Sequence, residues 1–251
     1  MTDHYFTPTS TLVNIEIVVE KNQKIRGYYR SVYDVQAVVQ KPVVLILHGL
    51  TSQAKNYELL CEDLANVGIS NLAVSLRGHG ESDGDFNSLN YYDGLKDVEA
   101  AFTWLLNNPD NKQSPIGICG MSTGADQAAY LASKYDVSSV LLRSPATFDD
   151  YSRKYDDVKK KESVYFQSLL DSLDDTSLVK NIQTYLGPLF VMQSDNDEVI
   201  PARMTEYIYD CCPSKSKRKH LFKDAQHSVQ TLALKKEMRD LTCAWFLETL
   251  S

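Results

Sequence analysis

Gly120-Met121-Ser122-Thr123-Gly124 is the stretch of this sequence best suited to covalent chemistry. Ile116-Gly117-Ile118-Cys119 ahead of it reads as a strand, and a helix begins near Ala125 behind it. A serine on a sharp strand-to-helix turn needs small flanking residues, because the turn strains its backbone and brings neighbouring main chain close. The first N–H groups of the following helix lack internal partners and offer a favourable dipole to an oxyanion. Three fixed positions in a chain of this composition match by chance roughly 0.1 times, so the motif alone leaves room for a plain glycine-rich turn. Two further segments supply what a nucleophilic serine lacks. Asp195-Asn196-Asp197-Glu198-Val199-Ile200-Pro201 follows the apolar run Leu189 to Met192, and Asp224-Ala225-Gln226-His227-Ser228 follows Lys219 to Phe222. A histidine there can take the serine proton, and an aspartate can fix its tautomer, in the chain order serine, aspartate, histidine. Either Asp195 or Asp197 can be that acid, the other being a cap or turn residue. His4 and His220 have no comparable placement.

The elements that must position these residues follow from hydrophobic periodicity. Val13 to Glu20 and Ile25 to Val32 alternate around the polar turn Lys21-Asn22-Gln23 and read as a hairpin. Val43 to Leu47 is an unbroken apolar run, as expected of a strand covered on both faces. Asn56 to Val67 has helical spacing, Asn71 to Leu76 reads as a strand, and Tyr92 to Leu106 as an amphipathic helix. The alternation continues through Gly124 to Lys134 (helix), Val137 to Leu142 (strand), Leu189 to Met192 (strand), Ala202 to Tyr209 (helix), Lys219 to Phe222 (strand) and Gln230 to Leu247 (helix). Such alternation implies right-handed crossovers and a largely parallel sheet, with functional groups gathered at the carboxyl ends of its strands. One connection is too long for this pattern. Residues from about 147 to 185 are polar and charged, with helices expected around Val158 to Leu170 and Thr176 to Ile182. An insertion of that length reads as a small lid within one domain spanning residues 1 to 251.

Composition excludes some functions. The formal charge of −7 disfavours nucleic-acid binding, which depends on cations that displace counterions from phosphate. The basic run Lys215-Ser216-Lys217-Arg218-Lys219 reads as a solvated turn entering a strand. Five cysteines, odd in number and without metal-ligand spacing, read as reduced thiols packed as small hydrophobes. No secretory signal is evident at the start, and no apolar stretch is long enough to span a bilayer. A cytoplasmic setting is the expectation.

The sequence resembles the α/β-hydrolase superfamily over nearly its whole length. The matching stretches are His48-Gly49-Leu50, Arg77-Gly78-His79-Gly80-Glu81-Ser82, Gly120 to Gly124, Asp197 with Val199-Ile200-Pro201, and His227. The resemblance implies an α/β-hydrolase fold: a mostly parallel central sheet flanked by helices, with a small helical lid. It selects Asp197 over Asp195, because the family's acid stands four residues before a proline. It assigns the oxyanion hole to the N–H groups of Leu50 and Thr123, gives His48 a loop-orienting role, and makes Arg77 to Ser82 a structural loop. One departure is Ala125-Asp126, where relatives often carry another glycine or small apolar residue; Asp126 can there favour the helix dipole.

By the same resemblance the chain is expected to be a serine hydrolase working through a Ser122-His227-Asp197 triad and an acyl-enzyme, without metal or organic cofactor. The expected substrate is a carboxylic ester with a small or medium acyl or aryl group. Acyl thioester hydrolysis, acyl transfer and a non-enzymatic ligand-binding role remain alternatives. Phe148, Tyr151, Tyr155, Tyr165 and Phe166 in the insertion can line an acyl or aryl pocket or simply pack the lid.

Overall fold

The computed structural model describes residues 9–33, 41–88, 90–147 and 162–251. Among the described residues, eight strands form one sheet in the order β1-β2-β4-β3-β5-β6-β7-β8. β1 (Thr9–Val18) and β2 (Lys24–Tyr33) make the expected hairpin, and β2 pairs antiparallel with β4 (Ser70–Ser75). From β4 the sheet is parallel through β3 (Val43–Leu47), β5 (Ile116–Met121), β6 (Ser139–Arg143), β7 (Leu189–Ser194) and β8 (Lys217–Phe222).

Every residue of β3 to β7 is buried, because helices cover both faces. Alternation sorts the side chains. Val43, Leu45 and Leu47 join α2 (Tyr91–Asn107), α3 (Thr123–Lys134), α5 (Ser177–Ile182) and α6 (Ala202–Cys211) in one core layer. Val44 and Ile46 face α1 (Glu58–Asn66) and α7 (Leu232–Thr249), whose Leu64, Trp245 and Phe246 fill the other layer. No helix among the described residues is long and apolar enough to cross a membrane.

Several expectations need correcting. β1 begins at Thr9, four residues ahead of the alternation starting at Val13, because pairing with β2 runs from Thr9 opposite Tyr33. Its first residues, Thr9-Ser10-Thr11, lie largely exposed at the sheet edge and carry no apolar signal. The basic run also does more than face solvent. Lys215 and Ser216 are exposed, but Lys217 donates to the carbonyls of Tyr209 and Cys212 at the end of α6. Arg218 pairs with Glu248 and lies over the Trp245 ring. The cysteines are free thiols, four buried and Cys211 half-buried.

The second half of the insertion contains α4 (Glu162–Ser168) and α5. The expected helix start at Val158 lies outside the described residues. Phe166, Leu169, Leu173, Leu178, Val179 and Ile182 are all buried in the α3-side core layer. These side chains pack the described part of the insertion against the helical layer that holds α3.

Candidate active site

Ser122 sits between the end of β5 and the start of α3, with φ 53° and ψ −116°. A positive φ at a non-glycine residue costs about 1–3 kcal/mol and persists only where surroundings impose it. Here its N–H donates to the Arg143 carbonyl at 2.9 Å, and its own carbonyl accepts from Ala125 and Ala146 at 3.0 and 3.1 Å. The motif glycines allow the crossing of backbones. A Cβ on Gly120 would lie 2.4 Å from the Gly124 carbonyl oxygen, and one on Gly124 equally close to that of Leu47. Both positions exclude any side chain.

The loops after β7 and β8 bring two more groups to this turn. His227 Nε2 lies 3.1 Å from Ser122 Oγ, and its Nδ1 lies 3.0 Å from each Asp197 carboxylate oxygen. Asp197 Oδ1 also accepts from the N–H groups of Val199 and Ile200 at 3.0 and 2.8 Å, which orients the carboxylate on its own loop. Burial of this side chain, 2% exposed, pushes its pKa up, but the His227 hydrogen bond and charge and the Ile200 N–H outweigh it. The net shift is below the usual carboxylate value. An ionised acid on Nδ1 keeps the proton there and leaves the Nε2 lone pair facing the serine hydroxyl. Asp195 has different work: its Oδ1 accepts the Ala225 N–H at 3.2 Å, tying the β7 end to the histidine loop.

Leu50 and Thr123 line the same cavity as Ser122, and neither N–H donates a hydrogen bond to another group among the described residues. The Gly49–Leu50 peptide is held through its carbonyl, which accepts from His48 Nδ1 at 2.7 Å and from the Ser52 N–H at 3.0 Å. In a trans peptide the N–H points opposite the carbonyl, so these two bonds turn the Leu50 N–H the other way. His48 can do this because the Leu76 N–H donates to its Nε2 at 3.0 Å, fixing the neutral Nδ1–H tautomer. Burial, helped by His79, drops its pKa to about 3. His79 Nε2 in turn contacts the Leu50 carbonyl, and the loop carrying His79 is anchored by Arg77, whose Nε and N–H both bind buried Asp97. Asp126, in the first turn of α3, accepts from Tyr91 and Ser177 and so joins α2, α3 and α5 as well as facing the dipole.

A cavity of about 520 Å³ opens at Ser122. Its apolar wall includes Leu60, Met121, Phe166, Val199, Leu232 and Met238. Of the aromatic residues expected here, Phe166 lines the cavity. Tyr165 does not; it is buried in the core, edge-on to Phe166 with centroids 5.2 Å apart. Phe148, Tyr151 and Tyr155 lie outside the described residues. The sequence reading missed Tyr57 and the cavity face of α7, and it missed Arg143, where only its position at a strand's carboxyl end was a signal.

Known proteins place the chain in a family. A family model described as serine aminopeptidase, S33, matches residues 39–175, more than half of the chain, including Ser122 but ending before Asp197 and His227. The multifunctional-autoprocessing repeats-in-toxin of Vibrio vulnificus is 35% identical over 132 residues, which are 49% of this chain but 2% of the toxin. The Pyrococcus furiosus esterase Pf2001 superposes with a TM-score of 0.72 at 21% identity, covering 96% of this chain and 94% of its own. Est1E of Butyrivibrio proteoclasticus, determined with ferulic acid bound, superposes at 0.71 and 17% identity over 94% and 98%. The solved structures share the α/β-hydrolase fold, and the chain belongs to the S33 serine aminopeptidase family.

Proposed function

We propose that this chain is a serine hydrolase that cleaves carboxylic esters with a small or medium acyl or aryl group, in one domain whose insertion at about 147–185 supplies part of the pocket. The observation that carries the reading is the His227 ring, which bridges Ser122 Oγ and the Asp197 carboxylate with distances of 3.0–3.1 Å. Ser122 attacks the acyl carbonyl while His227 takes its proton, and Asp197 stabilises the imidazolium. The Leu50 and Thr123 N–H groups receive the oxyanion, each contributing about 3 kcal/mol to the transition state. His227 then protonates the leaving alcohol, and water repeats the attack on the acyl-enzyme. The charges in the cavity favour an ester over a peptide N-terminus. Its described lining carries Lys235 and no carboxylate, which suits a neutral acyl substrate better than a peptide ammonium group.

Treating the purified chain with a fluorophosphonate, then digesting and sequencing by mass spectrometry, tests the reading. Label is expected on Ser122 alone and is expected to disappear in His227→Ala. A folded chain that takes no label overturns it, leaving the ligand-binding alternative in its place. The role of Phe166 is tested separately. Phe166→Ala enlarges the cavity wall and is expected to raise kcat/KM for longer acyl chains relative to acetate by about 10-fold, the scale of a methylene or two in an apolar pocket. Chain-length preference identical to wild type would confine Phe166 to packing.

A further inference from the structure

Arg143 ends β6 beside the strained turn, and its main-chain carbonyl is the one that receives the Ser122 N–H. Its side chain is only 6% exposed. From there the guanidinium reaches across the end of β7 to the histidine loop. Nη1 donates to the His227 carbonyl, and Nη2 donates to the Gln226 carbonyl at 3.3 Å and the Ser194 hydroxyl at 2.9 Å. On the other side of the same residue, the His227 N–H donates to Glu198 Oε2 at 3.0 Å. Both main-chain groups of His227 therefore end on charged side chains, while its ring holds Ser122 and Asp197.

The rest of the loop does not explain why His227 stays where it is. The loop between Phe222 and Leu232 has no helix or strand. Its other ties are Asn196 N–H to the Ala225 carbonyl, Ala225 N–H to Asp195, Gln230 to Asp224 and Gln226, and the Leu234 and Lys235 N–H groups to Thr231. None of these reaches His227. Arg143 Nε, moreover, is buried without a partner. A desolvated guanidinium with an unpaired N–H is a poor choice if filling space were its only duty, since an apolar side chain of similar volume avoids both costs.

We infer that Arg143 is a positioning residue for the base: by holding the carbonyls of Gln226 and His227 it sets the imidazole at the height where it meets both Ser122 and Asp197. The inference rests on the triad reading above. Glu198, being exposed, is the weaker half of the clamp and Arg143 the stronger.

Arg143→Met keeps the apolar stem of the side chain and removes every donor, whereas Arg143→Lys keeps the charge and a single donor group. Kinetics with p-nitrophenyl butyrate, with kcat expressed per fluorophosphonate-titrated site, separate positioning from misfolding. For Arg143→Met, kcat is expected to fall about 100-fold, the cost of a misplacement near 1 Å, with KM within about 2-fold of wild type. Arg143→Lys is expected to recover part of that loss. Unchanged kcat per titrated site in Arg143→Met, or a loss confined to KM or to the number of titratable sites, overturns the inference. If Arg143→Met does not fold, Arg143→Lys decides, because wild-type kcat in that variant overturns it and a several-fold fall at constant KM supports it. A wild-type chain that neither labels nor hydrolyses overturns the triad reading, and this inference with it.

Discussion

Ser122→Ala is expected to lower kcat/KM for an activated ester by about 10⁴-fold or more, the scale seen when a nucleophile is removed from a triad. The residual rate would come from the pocket and the Leu50 and Thr123 N–H groups acting on attack by water. The substitution removes one hydroxyl whose hydrogen-bond partner is His227 Nε2, while the bonds that hold the strained turn all belong to the main chain. The thermal midpoint should therefore stay within about 2 °C of wild type, as for a change that leaves no buried partner orphaned. Ester assays beside a thermal melt check both halves. Hydrolysis at the wild-type rate by a folded Ser122→Ala chain would move the nucleophile elsewhere.

Asp197→Asn is expected to cost nearly as much, about 10⁴-fold in kcat near neutral pH, and the hydrogen bonds around Asp197 say why. Oδ1 accepts from Val199 and Ile200, so an asparagine must leave its oxygen on those two N–H groups. Its NH₂ then occupies the place of Oδ2, 3.0 Å from His227 Nδ1. An N–H donor there requires a lone pair on Nδ1, which moves the ring proton to Nε2, where it faces the serine hydroxyl as a second donor. The base is lost without a change of shape. In the wild type the depressed pKa of Asp197 keeps the acid ionised at neutral pH. The stability that this carboxylate contributes is present above the unfolded-state value of about 3.9 and disappears as pH falls through the lower folded-state value. A kcat for Asp197→Asn within 10-fold of wild type would show that the tautomer is set by some other contact.

The sequence by itself determined the sheet, the turn and the chain order of Ser122, Asp197 and His227. Val43 to Leu47 reads as a strand covered on both faces, since an unbroken apolar run suits one buried on both sides, and the structure buries every residue of it. The small residues around Ser122 announced a crossing of backbones, and the structure shows Gly120 and Gly124 with no room for a Cβ. These features are local: each is written in a few consecutive residues. What the sequence could not express was contact between distant segments. Asp195 and Asp197 are equal candidates by residue type alone, and the family resemblance favours Asp197 by its distance from Pro201. The approach of the β8 loop sets Asp197 against the His227 ring and leaves Asp195 on the Ala225 N–H, a contact the sequence could not show. Tyr165 and Phe166 are likewise neighbours of one kind, and the orientation of α4 decided that Phe166 lines the cavity and Tyr165 the core. Arg143 is the clearest case, a strand-end residue whose partners lie more than fifty positions away. Periodicity reports which face of an element is buried, but not which side chains of other elements meet it there. That choice belongs to the packing of the loops at the carboxyl edge of the sheet.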